Sequence, residues 1–416
     1  MNKLTIYIER FASKKIIENI ISLGLLKMAT VLLPLAIIPH LIKTIGLDLV
    51  GLLAIVTSIC AYFNTVIDYG FIYTGTREVA QNKLNKDKNT KTFYNITYCK
   101  IFLVFLSFVI LYCLSLAIPF IKDNLLLLLL SLGNISILSL SPSWFFQGVE
   151  DMKKIAIGEM VSKILSFILI ISFIRSEKDL LMIPVFYILG QTISLFIYIY
   201  YIRKYIYIFK FRSFCIFDIV NKLKDSWSMF INIIFPNLYN NYSYIALGYF
   251  SSLTAVGAYD IVRKVMNISE QAIGILSKVY FPVLSNNFSK FSAFIRILIL
   301  ASIFLIVFQI LFSFFGIQYI EKKDINIDIS LLYLQSIAPI IYGLMLAYGI
   351  NFLGVKHRDR ELRNITILTS IVGFGLVTIF TYYFAAFGAL LGVLLTWSLR
   401  AIICMIVAQK SYYKEA

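Results

Sequence analysis

The chain has 416 residues, 60% of them hydrophobic and only 14% charged, with a formal net charge of +16. A mean hydropathy of +0.84 excludes a soluble globular domain, because apolar surface on that scale is hidden only by lipid. The cationic excess calls for no nucleic-acid partner, since the placement of Lys and Arg along the chain accounts for it.

Stretches long enough to cross a bilayer, at about 20 apolar residues each, fall near 16–42, 49–74, 93–119, 124–148, 155–174, 180–202, 226–250, 254–284, 293–317, 329–355, 364–384 and 386–409. The spacing predicts an all-α membrane protein of twelve transmembrane helices. With the N-terminus in the cytoplasm, and Lys278 and Arg296 at the span ends counted with the loop between them, 26 of the 38 Lys and Arg residues lie in cytoplasmic segments, six in outer loops and six inside spans. That asymmetry predicts two cytoplasmic termini. The remaining cationic excess suits an anionic leaflet.

Span 1 follows a mixed polar leader without a small-residue cleavage site, so it reads as an uncleaved signal anchor. Lys27 sits at its middle with no acid three or four residues away, Pro34 and Pro39 are expected to break it, and His40 at its outer end reads as structural. Span 2 carries Thr57, Asn64 and Asp68 on one helical stripe, and Glu159 and Lys163 in span 5 form a self-neutralising pair at four-residue spacing. The cytoplasmic segments Arg77 to Lys91 and Arg203 to Asp225 are the longest polar stretches. The second predicts a linker at 205–225 between a six-helix lobe at 1–204 and another at 226–416.

Span 7 holds Pro236 and a stripe of Asn237, Asn240, Asn241 and Tyr244, with Tyr239 and Tyr242 nearby at mid-span, where an interfacial aromatic belt does not belong. Amides beside flat rings suit a sugar. They equally suit interhelical hydrogen bonds. Span 8 is the most polar: Asp260, Arg263, Lys264, Asn267, Glu270 and Gln271 share a face, which lines water unless Asp260 neutralises a neighbouring cation near the outer end. Pro339 falls in span 10, His357 in a basic cytoplasmic loop reads as structural, and Arg400 in span 12 lacks an acid at helical spacing. Counting Lys27, Arg263, Lys264 and Arg400 against Asp68, Asp260 and Glu270, the deep positions keep one positive charge, which suits an anionic headgroup.

The chain also repeats itself. Val50-Gly51 and Val256-Gly257 lie 206 residues apart, and Gly148-Val149 and Gly354-Val355 hold the same offset. Two equivalent six-helix lobes enclosing a central cavity are expected. Cys60, Cys99, Cys113, Cys215 and Cys404 are scattered without a Cys-x-x-Cys pair, so neither disulfide nor metal is expected. No phosphate-binding Gly-Lys-Ser/Thr loop, Ser/His/Asp arrangement or paired catalytic carboxylate occurs, so no cofactor, ATP or catalysis is expected.

Three runs carry a resemblance. Asp68-Tyr-Gly-Phe-Ile-Tyr-Thr-Gly-Thr-Arg77-Glu78-Val-Ala80, Trp144-Phe-Phe-Gln147-Gly148-Val-Glu150 and Val256-Gly-Ala-Tyr-Asp260 resemble the Wzx-type flippases of O-antigen and capsule clusters, in the polysaccharide branch of the multidrug/oligosaccharidyl-lipid/polysaccharide exporter superfamily. The resemblance covers nearly the whole chain. It implies an inner-membrane protein that moves undecaprenyl-diphosphate-linked oligosaccharide repeat units from the cytoplasmic to the periplasmic leaflet by alternating access. It also implies the pathway's polymerase and chain-length regulator as partners. On this reading Lys27, Arg400 and Arg263 or Lys264 hold the diphosphate. Asp68 and Glu270 either couple ion movement or pair between helices with Lys27 or Arg400, and Arg77 and Glu78 form a gate or a structural pair.

Two other readings compete. A drug/cation antiporter of the same superfamily requires an acid-rich aromatic pocket, which the deep cations fit poorly. A membrane glycan polymerase or ligase requires a large outer loop, whereas the outer loops here are short apart from Gln318 to Asp328.

Overall fold

The computed structural model describes residues 3–207, 216–321 and 328–415, with side chains over 33–207, 217–311 (except Pro282 and Asn286) and 328–410. A chain in lipid must satisfy its backbone polar groups internally, and the described residues do so as helix, with no strand among them. In chain order the helices are α1 (Lys3–Asp68), α2 (Phe71–Gln81), α3 (Lys86–Ala117), α4 (Pro119–Asp123), α5 (Leu125–Leu140), α6 (Ser143–Gly148), α7 (Met152–Phe173), α8 (Met182–Ile202), α9 (Ile216–Asn240), α10 (Tyr242–Phe250), α11 (Leu253–Asn286), α12 (Phe291–Glu321), α13 (Ile329–Ser336), α14 (Ala338–Tyr348) and α15 (Asp359–Glu415). Side-chain caps start several of them: Asn85 accepts from Lys88 N at 3.0 Å and Ser252 from Ala255 N at 3.2 Å.

Eight stretches of described residues are long and apolar enough to cross a membrane: Leu33–Gln81, Lys86–Ala117, Leu125–Gly148, Met152–Phe173, Met182–Ile202, Phe288–Leu311, Ile329–Gly354 and Asp359–Lys410. The first and last are each about twice the needed length, and each contains a break. In α1 it lies at Gly46 (φ 82), in α15 at Phe384 and Ala385 (φ 46).

The proline expectations are corrected in part. The helix continues through Pro34 and Pro39 and breaks at Gly46 instead, because the left-handed turn required there suits a residue without Cβ. Pro236 lies inside α9, which ends four residues later, and Asn240 Nδ2 donates to the Pro236 carbonyl at 3.1 Å. Pro339 stands at the start of α14, just past the interruption at Ile337, where its missing N–H costs nothing.

The chain forms two compact units. One comprises residues up to 37 and 60–233, the other 38–59 and 234–416. In the first, α7 and α8 cross closely because Gly190 faces Ser162 and Ser166, and Tyr198 closes over Gly158 with its hydroxyl donating to Ile155 O at 3.1 Å. The Trp144-Phe145-Phe146 run of α6 is fully buried under α2, where Gly75 and Gly148 leave no room for a side chain and Thr76 Oγ1 donates to Trp144 O at 2.9 Å. Beside it, Tyr205 donates to Asp151 at 3.1 Å, and burial with that neighbouring carboxylate pushes its hydroxyl up to about 12.

The first half of α9 zips antiparallel onto α2 within the same unit. Tyr69 stacks on Phe230, Gly70 meets Met229, Thr74 bonds Ser226 at 2.8 Å and Glu78 pairs with Lys222. Each step of four along α2 matches a step of four back along α9, as antiparallel helices one turn per rung require.

In the second unit, residues 47–55 pack against the end of α10 and the start of α11. Gly51 lies against Leu253 and Gly257, Gly257 against Leu47, and Thr254 Oγ1 donates to Asp48 at 2.6 Å.

Candidate functional site

The second unit gathers ionisable and aromatic groups from five helices into its interior. On α11, Arg263 and Glu270 are seven residues apart on one face, with Arg263 Nη1 and Glu270 Oε1 at 3.7 Å and both side chains mostly buried. The Arg263 guanidinium stands 5.7 Å over the ring of Trp397 on α15, a cation placed on the negative face of an indole. Tyr342 on α14 packs on the same indole at 5.1 Å. Tyr244 on α10 meets Tyr259 edge-on at 4.9 Å, and both interact with Arg263. Tyr239, at the end of α9, interacts with Arg400 one turn beyond Trp397.

The cluster is not self-satisfied. Arg263 Nε, Arg400 Nε, Glu270 Oε1 and Asn240 Oδ1 are buried without a hydrogen-bond partner in the protein. Two guanidinium groups against one carboxylate leave a positive charge, and donors with no protein acceptor in a low-dielectric interior favour an anion carrying several oxygens. Asn240 and the tyrosine hydroxyls add neutral hydrogen-bonding capacity beside aromatic faces.

The structure sorts the candidate residues. Lys264 is committed to Asp260 at 2.6 Å, one turn away, so this pair is the self-neutralising arrangement and only Arg263 faces the cluster. Asn267 accepts from Gln271 at 3.2 Å, so the far end of the polar face is partly self-bonded as well. Arg400, Tyr244 and Asn240 belong to the cluster. Asn237 and Asn241 sit at the helix break: the Asn237 carbonyl accepts from Asn241 N at 3.2 Å, and the Asn241 carbonyl from Tyr244 N at 3.3 Å. Lys27 lies outside the described side chains.

Asp68 stands apart, in the first unit. Lys100 on α3 donates to it at 2.8 Å and also to the Ser139 carbonyl, while Ser139 Oγ bonds Asn64 at 2.7 Å. Of the two readings of Asp68, ion coupling or a pair with Lys27 or Arg400, the second takes a different partner among the described residues: a cation on another helix, 32 residues ahead. Glu78 is also paired across helices, with Lys222 and with Thr92 Oγ1 at 2.7 Å, while Arg77 beside it is exposed, so the two are not a pair with each other. Among the described residues, no three His, Cys, Asp or Glu side chains are grouped to hold a metal ion.

Sequence spacing pointed to Arg263, Glu270 and Arg400 but missed Tyr259, Tyr342, Trp397 and Lys100 as members of these constellations. Tyr342 and Trp397 come from distant helices, each in apolar surroundings that give no local signal.

Apolar helices enclosing a polar, arginine-bearing interior define a multi-pass membrane protein with a buried polar site. The profile of the polysaccharide biosynthesis protein family matches residues 16–288, and the chain belongs to that family. It is similar to a putative O-antigen transporter of Escherichia coli (strain K12), 23% identical over 393 residues that cover 91% of this chain and 93% of the relative. In fold it is similar to an inward-facing multidrug resistance MATE family transporter of the MOP superfamily (TM-score 0.72, 14% identity, 96% of this chain and 99% of the other). It is likewise similar to the lipid II flippase MurJ in an inward closed conformation (TM-score 0.74, 12% identity, 94% of this chain and 87% of the other).

Proposed function

We propose that the protein is a flippase. It carries oligosaccharide repeat units linked to undecaprenyl diphosphate from the cytoplasmic to the periplasmic leaflet, for O-antigen or capsule synthesis, without chemistry on its cargo. Family membership and the relative named as an O-antigen transporter support the pathway. The observation that carries the reading is the cluster itself: two half-buried arginines, each with a buried, unpartnered Nε, against one carboxylate. A diphosphate offers the oxygens such donors lack, and its polyprenyl tail remains in lipid while the charged head crosses about 30 Å of hydrocarbon.

The path we propose has twelve crossings in two six-helix lobes. The breaks at Gly46 and at Phe384–Ala385 divide the two double-length stretches, and α9 with α10, and then α11, supply two more. The contacts of the repeated glycines support the duplication. Gly51 touches Leu253 while Gly257 touches Leu47, and Asp48 bonds Thr254; shifting each residue by 206 exchanges the two sides. Such reciprocal contacts arise beside a two-fold axis. Gly148 beside Thr76 and Val79 has a counterpart in Gly354 beside Phe281, near the same offset. Two lobes so related suit alternating access.

The test is reconstitution of the purified protein into vesicles carrying labelled undecaprenyl-diphosphate oligosaccharide. Protein-dependent movement of label between leaflets, lost in Arg263→Ala with Arg400→Ala, is the expected result. Movement at the protein-free rate overturns the reading.

A further inference from the structure

An exposed indole that the arginine cluster does not explain lies in the first unit, where α2 meets α9. Trp227 is 53% exposed, whereas the other two tryptophans, Trp144 and Trp397, are 3% and 2% exposed. Its indole is braced from beneath: Phe230 lies 5.7 Å from it and Tyr69 6.4 Å, and Tyr69 and Phe230 stack on each other at 4.5 Å with planes 9° apart.

The backbone is shaped to hold this arrangement. Tyr69 has φ 43 and Gly70 φ 79, so a bulky residue occupies the left-handed region, and Gly70 lets Met229 approach so closely that a Cβ would lie 2.7 Å from its side chain. A non-glycine residue at such φ costs of order 1 kcal/mol or more and persists where surrounding contacts enforce it. Here those contacts are the Phe230 stack and the rungs from Thr74–Ser226 to Glu78–Lys222.

The neighbours of Trp227 on α9 face water. Lys224, Asp225 and Ser228 are all exposed, and two adjacent charges are not left facing hydrocarbon. An indole displayed among charged and hydroxyl groups, on a rigid aromatic base, offers one flat apolar face ringed by hydrogen-bonding partners.

We infer that Trp227, braced by Tyr69 and Phe230, is a stacking platform for a pyranose ring of the carried head, separate from the arginine cluster. The inference rests on the flippase reading. The C–H face of a sugar covers the indole while its hydroxyls meet the polar side chains around it. The platform takes uncharged saccharide.

The two ideas fail separately in one set of measurements. The probe is the water-soluble oligosaccharide freed by mild acid from the host's own lipid-linked intermediates, added to the purified full-length protein. Because Trp227 is the exposed tryptophan, iodide quenches mainly its emission, and saturating oligosaccharide is expected to protect it. Affinity for the tritiated oligosaccharide falls about tenfold in Trp227→Leu and is largely kept in Trp227→Phe, as loss of a stacking contact predicts. Unchanged quenching at saturation, or wild-type affinity in Trp227→Leu, overturns the platform. So does an effect of Trp227→Leu on membrane insertion alone, which would make the residue an interfacial anchor. Absence of lipid-linked transport by the wild-type protein would instead overturn the flippase reading.

Discussion

Gly51 and Gly257 lie back to back inside the second unit, so close that a Cβ on Gly51 would stand 2.9 Å from the backbone nitrogen of Gly257. Both are helical positions with ordinary backbone angles, so close approach is what requires glycine, as at small-residue helix crossings in membranes. The neighbouring Asp48–Thr254 hydrogen bond at 2.6 Å lies on the same seam.

Gly51→Val and Gly257→Val are therefore expected to force the seam apart, at a cost of about 1–3 kcal/mol each. Thermal unfolding of the detergent-purified variants measures this. Gly274→Val, a substitution with nothing within 4 Å of the added Cβ, is the matched control and should unfold close to wild type. Equal melting of all three variants would mean the seam has slack.

The ion pair at Asp68 predicts an asymmetric mutant cycle. Lys100 is 5% exposed and Asp68 35%, so the cation is the member that cannot return to water. Asp68→Asn leaves a buried ammonium with only carbonyl and amide partners and should cost about 3 kcal/mol, the size of a broken buried pair. Lys100→Met should cost less, because the carboxylate keeps part of its solvation. The double variant should recover most of the loss, measured by unfolding of all four proteins.

These residues show what a single sequence makes legible. The polar face of α11 was readable because its members share one helix, where spacing alone fixes direction. Lys100 was not, because a search at three and four residues sees only a residue's own helix, and its partner lies across the bundle. The glycine offset in the sequence pointed to a repeat, yet nothing there said that Gly51 and Gly257 touch. The Trp-Phe-Phe-Gln-Gly run was legible only as a family likeness; packing gives it a reason, since Gly148 and Gly75 admit α6 beneath α2. Prolines misled at Pro34 and Pro39 because a membrane helix can absorb proline, while a left-handed turn at Gly46 cannot be absorbed.

The turn at Glu177–Asp179 predicts an acid-sensitive loop. The backbone N–H groups of Arg175 and Ser176 donate to Asp179 at 3.0 and 2.9 Å and hold its carboxyl below its ordinary value of 3.8. A depressed folded-state pKa means the stabilisation is present above the unfolded value and is lost as pH falls through the folded one. Asp179→Asn should therefore be less stable than wild type at pH 7 and converge with it at a pH acid enough to protonate the folded-state carboxyl. Unfolding at the two pH values reads the difference, and a gap that persists in acid would assign the effect to something other than the carboxylate.

Glu270 supplies the sharpest test of the arginine cluster. It is the carboxylate nearest Arg263, at 3.7 Å, and its Oε1 accepts no hydrogen bond, so it balances charge without fixing geometry. On the proposed flippase reading, an incoming diphosphate would compete with it for the same guanidinium. Glu270→Gln removes the competitor while keeping the shape, so affinity for a short-chain polyprenyl diphosphate should rise, by about tenfold for an interaction of this separation in a partly buried setting. Release should slow in step, so transport falls although binding tightens. Arg263→Ala should lower both affinity and transport. Equilibrium binding of the labelled diphosphate to the two variants and wild type, set beside vesicle transport rates, separates these outcomes; weaker binding in Glu270→Gln would show that the carboxylate orients Arg263 for the anion.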